Sequence, residues 1–328
     1  MIPRWIPWSL RSKDQFLNSY GDAFLFRGIR KTPPIGCNPD ADTGLHSAVP
    51  HRYVHAYLLA AKSFLRYHAD IAVFVHDDGS LQEGDKALVR RHLPGVRIIE
   101  RREADERFER EVADPFLSKV RGSYTSYLKL FDPTLFSERK RIIIVDTDTL
   151  FLRRPDAVID WACNGGAPWF HLAPKGKMKK QDKAGNAGTV NTGNKHIQTM
   201  IMSGLDEINA ELDTRYTIEQ GFCSGFIGYE TGTIRFDALK KLFEVLFSRY
   251  GDRIFRWGAE QTVHGLNLCA SGARALPIDD YFVFTQFNAE HAHQGTFVHF
   301  VGENRFYQMR YPKLAKEIVA ELGKGDAP

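Results

Sequence analysis

The pattern of apolar and polar positions is that of an alternating α/β chain. Arg141 leads into Ile142, Ile143, Ile144 and Val145, an unbroken β-branched run of the kind shown by a strand covered on both faces of a parallel sheet. Ile71–Val75 is a second run of this type, and Leu45–Val49 and Val96–Ile99 predict two shorter strands. Tyr57, Leu58, Ala61, Phe64 and Leu65 recur at helical spacing and predict a helix from Tyr53 to Tyr67. Further helices are expected over Glu83–His92, over the charged run ERREADERFEREVAD, and over Ser123–Phe131 just before the isoleucine strand. After Pro155 the order loosens into a strand at 222–229, amphipathic helices at Phe236–Tyr250 and Trp257–Leu268, a strand within 296–307 that ends in His299 with Gly302 and Arg305 in the turn beyond, and a closing helix to Leu322. The expected fold is α/β, a mostly parallel, Rossmann-like central sheet flanked by helices in a single large domain. Residues 1–44, with Pro3, Pro7, Pro33, Pro34 and Pro39 and one helix near Lys13–Phe24, form an N-terminal extension over that body.

The candidate chemistry gathers at strand ends. Asp146 and Asp148 follow the isoleucine strand directly, at the carboxyl end where open α/β sheets place their ligands. With Thr147 between them, the two carboxylates point to opposite sides of an extended chain, so a bend or a bridging water is needed to bring both to one cation. Such oxygen donors suit Mg²⁺ or Mn²⁺, and an ion so held can carry a diphosphate. In isolation the same D-x-D is an acidic strand end facing water. The Ile71–Val75 strand ends in His76, Asp77, Asp78, Gly79 and Ser80, and a carboxylate in that turn can accept hydrogen bonds from a nucleobase N–H or a ribose hydroxyl, or simply close an Asx-turn. Arg121 and Lys129 approach the aspartates from the preceding helix, where they could steady them or bind phosphates. The stretch 173–195, with five lysines within Lys175–Lys183, reads as a basic loop able to close over a diphosphate. The small residues of FCSGFIGY, 222–229, mark a place where a ligand's sugar ring could approach the backbone.

Composition narrows the classes. With 328 residues, 43% of them hydrophobic, the chain has ample material for a large core. A net charge of +4 favours anionic ligands or an anionic membrane surface and falls short of a nucleic-acid binder. The four cysteines lack any C-x-x-C spacing, which suggests neither a zinc site nor a dense disulfide framework and implies a reducing compartment. There is no apolar signal region and no run long enough to span a bilayer. A soluble, cytoplasmic protein is expected, with a peripheral contact at the inner face of the membrane through Trp5 and Trp8 as an additional expectation.

Taken together and in this order, the motifs resemble the GT-A fold glycosyltransferases, which use nucleotide-sugar donors. DTDTLFL at 146–152 is similar to the D-x-D of glycosyltransferase family 8, SYLKLFDPTLF resembles that family's preceding helix with Lys129 at a usual arginine, and HFVGENRF at 299–306 resembles its C-terminal H-F-x-G signature with Arg305 for lysine. HDDGSL at 76–81 instead resembles the D-D-G-S turn of family 2. The resemblance implies that Asp146, Asp148 and His299 bind Mn²⁺ or Mg²⁺, and that Asp146 also touches the ribose. It implies that Asp77 or Asp78 meets the base and that Arg305, in the turn shaped by Gly302, meets the diphosphate. Lys129 supports the donor, and Glu260 and Gln261 line the sugar site. It further implies a nucleotide-sugar-binding half at 45–155 and an acceptor-binding half at 156–328, a nucleoside diphosphate sugar (UDP-sugar) as donor, and a glycan or lipid-linked acceptor in cell-surface polysaccharide assembly. Glu260 or Asp279 would be the base of an inverting enzyme, whereas family 8 implies retention. Two rival readings stand beside it. One is a haloacid dehalogenase-like phosphatase, whose motif would be one residue longer and nearer the N-terminus; the other is a sugar-nucleotide-binding protein without turnover.

Overall fold

The computed structural model describes residues 13–174 and 196–324. Ten strands are found among them: β1 (Thr43–Val49), β2 (Ala72–Asp77), β3 (Arg97–Ile99), β4 (Arg141–Val145), β5 (Thr149–Phe151), β6 (Trp169–Leu172), β7 (Phe222–Glu230), β8 (Arg274–Ala275), β9 (Tyr281–Val283) and β10 (Phe297–His299). They form one sheet in the order β3-β2-β1-β4-β7-β6-β9-β10-β5, with β8 beside β6. The sheet is mostly parallel, but β7 runs antiparallel to both β4 and β6, and β5 antiparallel to β10. The isoleucine strand is therefore internal, as its run of apolar residues implies, with one parallel neighbour (β1) and one antiparallel neighbour (β7).

Alternation along β4 sorts the core. Ile143 and Val145 face the layer that holds the helices Val54–Leu65 and Arg310–Gly323, through Tyr57, Phe64, Leu314 and Ile318. Ile142 and Ile144 face the opposite layer, where Leu130 and Phe131 of the helix Tyr127–Leu135 meet Leu242 and Phe243 of the helix Phe236–Tyr250. From β1 the chain first steps outward to β2 and β3, then returns on the other side of β1 as β4. The order reverses between β1 and β4, which opens a crevice at their carboxyl ends. Asp146 lies at that crevice.

One expectation shifts in detail. The helix expected over Ser123–Phe131 is two helices, Pro115–Ser123 and Tyr127–Leu135. Asp114 caps the first by accepting the Leu117 N–H at 2.9 Å, and the Ser123 hydroxyl closes it on the Val120 carbonyl at 2.6 Å. The strand near the C-terminus ends in His299, as expected, and gives way to 3-10 turns around Gly302 and Arg305. The basic stretch from Lys175 to Lys183, and Trp5 and Trp8, lie outside the described residues. No described helix is long and apolar enough to cross a membrane.

The N-terminal segment is tied to the body by polar anchors. Asp22, in the helix Lys13–Leu25, accepts the Ala56 N–H at 2.7 Å and so caps the helix Val54–Leu65. Lys62 of that helix is fully buried with no carboxylate partner among the described residues, and donates to Thr32 Oγ1 and the Pro33 carbonyl, each at 2.5 Å. Burial lowers its pKa to about 8. Between that value and the ordinary lysine range the unfolded chain binds the extra proton, so this group makes stability rise with pH there. The shift corresponds to roughly 3 kcal/mol. The difference in unfolding free energy between wild type and Lys62→Met should therefore change by about that amount from pH 7 to pH 10.5, and a flat difference in chemical denaturation would rule the assignment out.

Candidate active site

Asp146 continues the parity of Ile142 and Ile144 and so emerges toward the helix Tyr127–Leu135, whose Lys129 meets both of its carboxylate oxygens at 2.9 and 3.1 Å. The chain then turns at Thr147, and the Thr149 hydroxyl donates to the Asp146 carbonyl at 2.9 Å. This is the bend that the D-x-D spacing requires. The backbone of each aspartate is fixed by a neighbouring strand or its extension: the Asp146 N–H donates to the Gly225 carbonyl at 2.8 Å, and the Phe300 N–H to the Asp148 carbonyl at 2.8 Å. Through that second bond, His299 at the end of β10 arrives beside the acidic pair. Its Nε2 is 3.2 Å from Asp148 Oδ1 and 3.7 Å from Asp146 Oδ2.

Hydrogen bonding fixes how His299 presents itself. His171 Nδ1 lies 3.1 Å from the Phe226 carbonyl, which can only accept, so that nitrogen carries the proton and His171 Nε2 accepts. The His299 Nδ1–H then donates to His171 Nε2 at 3.2 Å, and the lone pair of His299 Nε2 faces two carboxylates. A lone pair aimed at two anions needs a cation between them. In the metal-free protein that cation is a proton: burial would lower the pKa of His299, but Asp148 and Cys223 outweigh it and raise it to about 10. Burial likewise opposes ionisation of Asp148, and Arg305 and His299 overcome it, holding that carboxyl well below the usual range. Ligand atoms of Asp146, Asp148 and His299 all lie within 4.8 Å of one another. Two hard oxygens and an imidazole suit Mn²⁺ better than Mg²⁺, so the donor set fits the expected ion.

Cations and a further carboxylate surround the three. Arg305 donates to Asp148 Oδ2 and, at 3.0 Å, to the Phe300 carbonyl, with its guanidinium 5.0 Å above the Tyr53 ring. Gly302, at φ +63°, makes the turn that sends Arg305 back to the site, and its carbonyl accepts the Arg305 N–H. Glu260, in the first turn of the helix Ala259–Ala270, is buried 4.0 Å from Lys129 and 2.7 Å from His264 Nδ1. Burial would raise its pKa, yet Lys129 and His264 lower it. For Lys129 the burial penalty is outweighed by Asp146 and Glu260, which raise its pKa. Gln261 is half-buried beside Glu260.

Other expected residues are placed differently. Asp77 and Asp78 each close an Asx-turn: Asp77 Oδ1 accepts from Gly79 N and Leu81 N, and Asp78 Oδ1 from Ser80 N. They stand at the carboxyl end of β2, two strands and so about 10 Å across the sheet from β4. Arg121 does not reach the aspartates of the site, because Asp132 holds it at 2.6 Å and Asp105 also pairs with it. Asp279 is exposed before β9, at the opposite end of that strand from the site.

The small residues of β7 make room for protein side chains. A Cβ on Gly225 would lie 2.1 Å from His299 Cε1 and 2.9 Å from Asp146 Oδ2, and one on Gly228 would lie 2.3 Å from the Trp169 ring. Gly225→Ala should therefore push His299 off the acidic pair and weaken Mn²⁺ binding by on the order of ten- to a hundredfold. Calorimetry with Mn²⁺ checks this, and unchanged affinity would contradict the packing described. Sequence reasoning missed His171, Cys223, Ser224, His264 and Tyr53. Cys223 and Ser224 adjoin on β7 and the others stand on separate elements, with no motif spacing to link the group.

No protein-family model matches the chain, and no curated protein matches it in sequence. Solved structures do. The WbbM bifunctional glycosyltransferase is 13% identical with a TM-score of 0.53, over 88% of this chain and 53% of its own. The galactosyltransferase LgtC, in complex with donor and acceptor sugar analogs, is 15% identical over 84% of this chain and 95% of its own, with a TM-score of 0.48. Core-mannan synthase A from Aspergillus fumigatus, in its Mn/GDP form, is 13% identical over 75% of each chain, with a TM-score of 0.41. At such identities the fold is what is shared, and the WbbM match carries it. The chain has a mixed α/β, GT-A fold in a single domain, while the phosphatase and binding-only readings gain no support.

Proposed function

We propose that this protein is a metal-dependent glycosyltransferase that moves a sugar from a nucleoside diphosphate sugar, with UDP as the expected nucleotide, to a hydroxyl of a glycan or lipid-linked acceptor. The observation that carries this reading is the convergence of Asp146, Asp148 and the Nε2 lone pair of His299 in the crevice at the switch point of the sheet. Asp146, Asp148 and His299 would hold Mn²⁺, which supplies charge stabilisation to a departing diphosphate. The protein's own groups do the rest. Lys129 fixes Asp146, Arg305 fixes Asp148 and adds positive charge beside the leaving group, and Asp77 or Asp78 offers a remaining carboxylate oxygen to the base. Gln261, half-buried next to Glu260, faces the choice of sugar. Glu260 is engaged by Lys129 and His264, and Asp279 stands at the far end of β9, so neither is positioned to take the acceptor's proton. That favours retention of anomeric configuration and the family 8 resemblance. The halves 45–155 and 156–328 serve donor and acceptor respectively. The reaction is assigned to the cytoplasmic face of a membrane, in cell-surface glycan assembly.

Incubation with a panel of nucleoside diphosphate sugars and Mn²⁺ should yield slow release of nucleoside diphosphate from one of them, abolished by a chelator. No hydrolysis and no calorimetric binding of any donor would overturn the proposal.

A further inference from the structure

Behind His299, on the side away from the aspartates, lies a second group of donors that the proposed reaction does not use. His171 Nε2, Cys223 Sγ and His299 Nδ1 come from three different strands, all three residues are buried, and their ligand atoms lie within 4.8 Å of one another. The separations are specific. His171 Nε2 is 3.2 Å and Cys223 Sγ 3.5 Å from His299 Nδ1. Zinc–nitrogen and zinc–sulfur bonds of ordinary length at a tetrahedral angle give N···N and N···S edges of about 3.3 and 3.6 Å. The bond from His171 Nδ1 to the Phe226 carbonyl leaves Nε2 unprotonated and oriented, as ligating histidines require. We propose that His171, Cys223 and His299 form a site for a soft divalent ion, Zn²⁺ in particular, with three protein donors and the fourth vertex left to an exogenous ligand. The lack of C-x-x-C spacing in the sequence does not bear on it, since the sheet, not local spacing, assembles the donors.

The two sites share one imidazole. When a metal at Asp146 and Asp148 takes the place of the Nε2 proton, the ring stays neutral and Nδ1 keeps its own proton, as the hydrogen bond to His171 implies. A zinc ion on Nδ1 displaces that proton, and a neutral ring then carries its proton on Nε2, where it donates to Asp148 and no longer serves as a ligand there. Zn²⁺ bound to Cys223 therefore weakens Mn²⁺ binding at the aspartates without competing for them. This antagonism rests on the metal role proposed above, whereas the soft-ion site itself does not.

Cobalt(II) reports thiolate ligation directly. Titration of the chelator-treated full-length protein with Co²⁺ should produce a near-ultraviolet sulfur-to-cobalt charge-transfer band saturating at about one equivalent and removed by added Zn²⁺. The band should vanish in Cys223→Ser and in His171→Gln, both checked for wild-type circular dichroism, and persist in Asp148→Asn. No band, or a band that survives in a folded Cys223→Ser and so belongs to Cys37, Cys163 or Cys269, overturns the site. Free Mn²⁺ measured by electron paramagnetic resonance should then show at least about tenfold weaker Mn²⁺ binding with one equivalent of Zn²⁺ in wild type and no such change in Cys223→Ser. Equal weakening in both variants overturns the antagonism. Absence of Mn²⁺ binding in any form removes the donor-metal role while leaving the cobalt result standing.

Discussion

Asp148→Asn is expected to lower turnover of the nucleoside diphosphate sugar by on the order of 10³, because charge stabilisation by a bound divalent ion is worth several kcal/mol of barrier. Asp148 is the carboxylate on which His299 and Arg305 both converge, one on each oxygen. An amide of the same shape keeps a hydrogen bond from Arg305 but supplies no anionic oxygen to a cation, and its NH₂ or carbonyl is a weak donor to Mn²⁺. The fold should survive, since the backbone of residue 148 is held by the Phe300 N–H independently of the side chain. Mn²⁺ calorimetry and nucleotide release measured on the same preparation check the effect. Loss of less than about tenfold in both, with an unchanged melting curve, would remove Asp148 from the metal-binding set. Asp146→Asn should act in the same direction but also free Lys129, which makes it the less clean variant.

What could be read in advance, and what could not, divides by the range of the interaction. The strand Arg141–Val145, its internal position and the bend at Thr147 follow from local pattern, because the apolar run and the D-x-D spacing are properties of consecutive residues. Bringing His299 to the aspartates depends on the Phe300 N–H bonding to the Asp148 carbonyl across 152 positions, and the only sequence signal was the glycine and arginine of the turn beyond it. Arg121 and Lys129 look equivalent on paper, two cations on the approach to the strand. They differ because Asp132, in the same helix as Lys129, captures Arg121, an ion pair whose geometry arises only once the two helices pack. The glycines of β7 carry a similar lesson. A glycine in a strand signals a close approach but not of what, and here the neighbours are His299 and Trp169. His171 and Cys223 were illegible for a plainer reason: single residues on strands β6 and β7 become a cluster only through antiparallel pairing with a bulge between Phe170 and His171, and that irregularity has no marker in the sequence.

Lys129→Met should separate stability from metal binding more sharply than any change in the aspartates. Lys129 is buried, with Asp146 at 2.9 Å and Glu260 at 4.0 Å, so removal of its charge leaves two carboxylates without their shared counter-ion. Removing one partner of a buried ion pair costs roughly 4 kcal/mol, because the desolvated charge that remains is uncompensated. For a chain of 328 residues that corresponds to a fall in melting temperature of roughly 6 °C. Mn²⁺ should return much of it. A divalent ion on Asp146 supplies the positive charge that Lys129 no longer provides, so the rise in melting temperature on adding saturating Mn²⁺ should be larger in the variant than in wild type. Lys129→Arg keeps the charge and should behave like wild type in the absence of metal. Equal Mn²⁺ stabilisation of wild type and Lys129→Met would mean that the ion does not sit within reach of Asp146. An unchanged melting temperature in the metal-free variant would mean that solvent already screens the triad, which the burial of Lys129 and Glu260 argues against. The two measurements test different links: the first concerns where the cation binds, the second how much the fold spends in keeping two acidic side chains together before it arrives.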